Sequence, residues 1–159
     1  MAASELMRLS RYKFEIETKN LMPTAAGLAS SASGLASIAF GIATALRCQD
    51  KIDISPFARL GSGSACRSIS GGLVQWYRGD PDGDGSDSIA KQIYPADHWE
   101  NLCFIVLVVD ANKKKIKSTV GMQTSLETSS FMKYRGEQVQ ERIKEVIWAF
   151  QGQRFDSYP

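Results

Sequence analysis

A mixed α+β domain is the fold class this sequence predicts, and three stretches carry the prediction. Residues 12–20, "YKFEIETKN", alternate Tyr12, Phe14 and Ile16 with polar neighbours, the period of a half-buried strand. Residues 33–47, "SGLASIAFGIATALR", are small and apolar with hardly a charge, which suits a helix buried on most sides and packed closely against a sheet. Residues 103–110, "CFIVLVVD", form a continuous apolar run of strand length, the pattern of a strand buried on both faces.

The remaining elements follow in chain order. After the first strand the chain enters a loop at Pro23, and after the helix it turns between Asp50 and Ser55. Pro56 sits where a first helical turn tolerates proline, so "PFARLG" predicts a short helix ending near Gly61. "GGLVQWY" predicts a strand opened by two glycines and followed by the turn-rich "RGDPDGDGSDS". "ANKKKIKS" is a solvated loop, and Val139, Ile143, Val146, Ile147 and Phe150 recur at helical spacing as one apolar face.

With 159 residues, 43% hydrophobic and 23% charged, the chain can bury the core of one ordinary domain, which excludes disordered and fibrous classes. A net charge of +2 is too balanced for a whole-molecule field, and "NKKKIK" is the single basic cluster, so neither nucleic acid nor membrane is an expected partner. No window approaches the roughly 18 apolar residues of a membrane span. "MAASELMRLSRYK" lacks the apolar core of a secretory signal. Cys48, Cys66 and Cys103 form neither a CxxC pair nor a metal pattern, in keeping with a reducing cytoplasm.

Two small-residue loops point to anions. "PTAAGLASSASG", residues 23–34, passes through small residues and opens a helix, so unpaired backbone N–H groups and the positive helix end converge on one point. Ser30 and Ser31 add hydroxyls, one of them suited to magnesium, although a serine cap on an Ala-rich helix explains the stretch equally well. "GSGSACRS", residues 61–68, sets glycines and serines ahead of Arg67, whose planar fork of donors fits carboxylate or phosphate. The plainer alternative is a flexible connection with Arg67 on the surface.

Other candidates are weaker. Asp80, Asp82, Asp84 and Gly85 fit the first half of a calcium loop, but Lys91 stands where a bidentate Glu is needed. His98, the only histidine, lies in the polar "ADHWEN" and suits a surface role better than catalysis. "STVGM", residues 118–122, reads as a hydroxyl-bearing turn.

"NLMPTAAGLASSASG", "GSGSACRSISGG", "DSIAKQI" and "STVGMQTSLETS", in this order and spacing over roughly residues 12–150, resemble the mevalonate diphosphate decarboxylase family of the galactokinase, homoserine kinase, mevalonate kinase and phosphomevalonate kinase superfamily. "GSGSACRS" is specific to the decarboxylases, whereas the phosphate loop is shared with the kinases. The resemblance implies a two-layer α/β sandwich of the ribosomal protein S5 domain 2-like type. Residues 12–130 would form its ATP- and substrate-binding domain, 131–159 the start of a second domain, and 1–11 a divergent N-terminus. It implies ATP-dependent decarboxylation of mevalonate 5-diphosphate to isopentenyl diphosphate, with ADP, phosphate and CO2 released, in isoprenoid and sterol-precursor synthesis, by a cytoplasmic homodimer.

Carried over by motif, Ala26, Gly27, Leu28, Ala29, Ser30 and Ser31 would hold ATP, with Ser31 near the γ-phosphate and Mg2+. Ser62, Gly63, Ser64, Ala65, Cys66, Arg67 and Thr119 would contact the substrate, Arg67 orienting its carboxylate; Arg67 and Ser31 are the candidate catalytic residues. The family's Asp-Ala-Gly-Pro-Asn stretch, source of its presumed base, and its early lysine and tyrosine segment are not found here. The sequence therefore predicts a fragment, inactive and aggregation-prone by itself. A small-molecule kinase of the same superfamily and a non-catalytic truncated paralogue that binds nucleotide or a full-length subunit are the rival readings.

Overall fold

The computed structural model describes residues 12–21, 29–107, 116 and 118–155. Helix α1, Ser30–Ala45, begins three residues earlier than its apolar pattern because the small residues ahead of Gly34 are also compatible with helix. It ends where Leu46 and Arg47 close on the carbonyls of Ile42 and Thr44. Helix α2, Ser55–Gly61, is started by Asp53, whose carboxylate accepts the Ser55 amide at 2.8 Å, and by Pro56 in its first turn. A 3-10 segment, Gly63–Ile69, follows directly.

These three pieces form one block. Ala32 and Ala36 of α1, Ala58 of α2 and Ala65 of the 3-10 segment are all buried together, with Leu35, Ala39 and Ile69 around them. Methyl-sized side chains allow the backbones to approach closely, so the block is held by close packing of small surfaces instead of by large interdigitating side chains.

Strands β1, Leu73–Trp76, and β2, Ala90–Tyr94, pair antiparallel with Leu73 opposite Tyr94 and Trp76 opposite Ala90. A register irregularity falls between Leu73 and Val74, next to Gly72 at φ +72°. A Cβ at Gly72 would lie 2.2 Å from the Tyr94 carbonyl oxygen, so the turn into β1 requires glycine. The aspartate-rich loop joins the two strands. Asp80 accepts the Asp82 amide at 3.0 Å, Asp84 the Ser86 amide at 2.9 Å, and Asp87 the Asp80 amide at 2.7 Å. The hydroxyl and amide of Ser86 hold the Asp84 carboxyl below the ordinary aspartate range. Arg59 donates to the Gly85 carbonyl at 2.7 Å and the Ala90 amide donates to the Ser55 hydroxyl at 3.0 Å, which fixes the hairpin to α2.

Helix α3, Ser118–Thr128, a short 3-10 turn, Ser130–Lys133, and helix α4, Arg135–Gln151, complete the described elements. Among the described residues no helix is long and apolar enough to cross a membrane.

Several expectations from the sequence are corrected. Residues 12–20 are exposed and form no strand, and Cys103 to Leu107 likewise form none; residues 108–110 lie outside the described part. A strand needs a neighbour to take up its backbone groups. Among the described residues the sheet contains only β1 and β2, and neither segment has a pairing neighbour there. For the same reason α1 buries a single stripe, Ala32, Ala36 and Ala43, instead of most of its surface. Its other side borders an open groove of about 410 Å³ with residues 14–20. "STVGM" is the first half of α3, not a turn: Thr124, Ser125 and Thr128 return their hydroxyls to the carbonyls four residues earlier and so satisfy their polar groups within the helix.

His98 is half-buried, not a surface residue. Its ring stacks on Tyr94 at 4.3 Å and on Phe150 at 5.7 Å, and Nε2 lies 3.0 Å from the Phe150 carbonyl oxygen. It ties the end of α4 to the end of β2. The apolar face of α4 is partly covered there, with Val146 still exposed. Of the basic loop, only Ile116 is described.

Candidate functional site

The first anion loop is described from Ala29 onward; Ala26, Gly27 and Leu28 lie outside the described residues. Ala29 is the N-cap of α1 and has no side-chain acceptor for the first-turn amides. The Ser33 amide returns to the Ala29 carbonyl at 3.1 Å, and the amides of Ser30, Ser31 and Ala32 precede that first helical bond. Ser31 is exposed and Ser30 half-buried. The first turn carries no acidic residue, so the positive helix end is not neutralised by the helix itself.

In the second loop, Ser62 is extended, at φ −153° and ψ 125°, and the chain then coils from Gly63 into the 3-10 segment. Ser64 is half-buried and Gly63 exposed. Ala65 and Cys66 are 0% and 1% exposed, so their side chains belong to the packed interior and only their backbone is left for a ligand. Burial pushes the Cys66 thiol above its ordinary pKa, against a smaller opposing pull from Arg67, and its S–H donates to the Gly63 carbonyl at 3.0 Å. Arg67, one residue on, is exposed.

The Arg67 guanidinium lies over the ring of Trp76, 5.8 Å from its centroid. The far edge of the same ring closes on Gly63, where a Cβ would stand 3.0 Å from Cη2. The indole N–H donates to Ser88 Oγ at 3.0 Å, and the Ser88 hydroxyl donates to the Tyr77 carbonyl at 3.2 Å. Trp76 and Ser88 were not singled out in the sequence. Nothing local marks them, because Trp76 meets Arg67 from β1, nine residues on, and Ser88 meets Trp76 across the loop that joins the strands.

Thr119 is exposed on α3. The elements packed closely on the Arg67 segment are α1, α2, β1 and β2; α3 is not among them. The structure therefore packs the start of α1 and the Arg67 segment together through the alanine block, and α3, which carries Thr119, is not closely packed on that segment.

Residues 2–90 match the diphosphomevalonate decarboxylase-like N-terminal domain, and residues 104–159 match the mevalonate 5-diphosphate decarboxylase C-terminal domain. The diphosphomevalonate decarboxylase of Rattus norvegicus is 49% identical over 148 residues, which are 92% of this chain and 36% of the rat protein. A crystal structure of mevalonate 5-diphosphate decarboxylase superposes with a TM-score of 0.72 at 41% identity, over 85% of this chain and 35% of that one. The mevalonate diphosphate decarboxylase of Enterococcus faecalis, described with a mevalonate diphosphate mediated ATP binding mechanism, superposes with a TM-score of 0.61 at 39% identity, over 86% of this chain and 40% of that one. This chain thus spans little more than a third of the relatives it matches. On the strength of both domain matches and of a fold shared with the solved decarboxylases, the chain belongs to the diphosphomevalonate decarboxylase family.

Proposed function

We propose that this chain carries the ATP loop and the carboxylate-binding loop of an ATP-dependent mevalonate 5-diphosphate decarboxylase, within a two-layer sandwich of the ribosomal protein S5 domain 2-like type. The observation that carries the reading is the position of Arg67. It is exposed on a 3-10 segment whose opposite side, through Ala65, is packed against α1, the helix that the small-residue loop opens.

In this reading the first-turn amides of α1, with Ser30, Ser31 and residues 26–29, bind the phosphates of ATP. Oriented backbone donors at a positive helix end suit that charge. The exposed Ser31 hydroxyl fits a hard cation that accepts neutral oxygen ligands, and Mg2+ held there would neutralise charge on the phosphates. Arg67 holds the substrate carboxylate by its guanidinium edge, which keeps the bond to be broken in one orientation while the activated tertiary hydroxyl departs as phosphate. Ser62, Ser64 and the backbone from Gly63 to Cys66 contact the rest of the substrate.

Arg67→Ala tests the assignment. A charge-assisted hydrogen bond contributes about 1.5–3 kcal/mol, so affinity for mevalonate 5-diphosphate, measured by titration calorimetry, is expected to fall about 10- to 100-fold. Unchanged affinity would overturn the role given to Arg67.

A further inference from the structure

Arg67 is exposed, and among the described residues it forms no ion pair. A long exposed side chain of this kind samples many rotamers, and binding a carboxylate must then order it. Trp76 lies where it can restrict that motion. Its ring stands under the guanidinium at 5.8 Å, within the range of cation–π attraction. The ring is itself held by the 3.0 Å bond from its N–H to the buried Ser88, and it passes close enough to residue 63 that any side chain larger than glycine's would crowd it. The geometry is compatible with carboxylate binding because a ring engages the face of a guanidinium, whereas bidentate hydrogen bonds leave in its plane.

We propose that Trp76 is the positioning residue for Arg67, and that this pairing sets the site's preference for a diphosphate ligand that also bears a carboxylate. The proposal rests on the ligand reading given above and adds to it a residue that contacts no ligand. A ligand lacking the carboxylate does not use the Arg67 edge and is indifferent to Trp76.

The test compares Trp76→Leu, Trp76→Phe, Arg67→Ala and the double variant Trp76→Leu/Arg67→Ala in the full 159-residue chain. Calorimetry uses two probes, mevalonate 5-diphosphate and the carboxylate-free isopentenyl diphosphate. Trp76→Leu is expected to weaken the first about 5- to 10-fold and the second by less than about two-fold, given the strength of such contacts. Trp76→Phe, which keeps a ring face, should restore most of the loss, and Trp76→Leu should add nothing in the Arg67→Ala background. Equal losses for both probes, or additive losses in the double variant, would overturn the proposal.

A second readout needs no ligand. The NMR resonance of the Arg67 Nε–H should be ring-shifted in the parent chain and in Trp76→Phe, and unshifted in Trp76→Leu. An unshifted resonance in the parent overturns the contact. A shifted resonance with no binding of either diphosphate leaves the contact standing but overturns its role in ligand preference, because the ligand reading has then failed.

Discussion

Cys66 and Arg67 are neighbours with opposite environments, and a 3-10 turn is what separates them. The thiol is buried and the guanidinium is in solvent. Burial favours the neutral thiol, so its pKa is raised in the folded chain. A group raised in this way contributes stability that is complete below its unfolded value and is lost as pH rises through its folded value. Stability should therefore decline in the alkaline range above the ordinary cysteine pKa, and Cys66→Ala should remove that part of the decline, as read from urea midpoints at pH 7 and pH 10. Labelling with a thiol reagent at pH 8 should modify the exposed Cys103 well before Cys66. Equal labelling rates in the folded chain would contradict the burial of Cys66.

At the scale of elements, the contact between α1 and the 3-10 segment decides whether the start of α1 and the Arg67 segment keep a fixed relation. It is made by alanines, and there is no room in it for a larger side chain: Ala36 is 4% and Ala65 0% exposed. Ala36→Leu should destabilise the chain by about 1–3 kcal/mol through overpacking, measured by chemical denaturation. An exposed position on the same helix, such as Ser31, should tolerate alanine with far less change in stability. The two exposed ion pairs on α4, Arg142–Glu145 and Lys144–Glu141, both at 2.8 Å, contribute little by comparison. What holds α4 in place is the stack of Tyr94, His98 and Phe150, with Gln153 donating to the His98 carbonyl.

At the scale of the whole molecule, the chain presents apolar surface that its own described elements do not cover. Phe104, Ile105 and Leu107 are 85%, 87% and 85% exposed in a run that pairs with no strand among the described residues. Tyr12, Phe14 and Ile16 are also exposed, on a segment that pairs with no strand among the described residues. Unpaired extended backbone with apolar side chains is a template for association. The chain should therefore self-associate with rising concentration in analytical ultracentrifugation, and Ile105→Lys with Leu107→Lys should shift it toward monomer. A sedimentation coefficient independent of concentration in the parent chain would show that these segments are covered.

Local chemistry fixed the parts of this protein that the sequence determined by itself. Pro56 and Asp53 start α2, the glycine pair opens β1, and the helical spacing of Val139 to Phe150 lies within α4, all within reach of neighbouring residues. The motif order was likewise sufficient to place the chain in its family, because small residues and an arginine at fixed spacing need no long-range contact to be read. Tertiary structure alone decided the rest. "YKFEIETKN" and "CFIVLVVD" carry strand patterns, yet pairing requires a neighbour that periodicity cannot supply. Trp76 became part of the Arg67 environment only when β1 came against the 3-10 segment, and the pairing of β1 with β2 brought Ser88 to its indole N–H. His98 acquired a partner only when α4 reached it. Side-chain period records which face of a segment favours burial, whereas the surface that meets that face is set by segments distant in the chain.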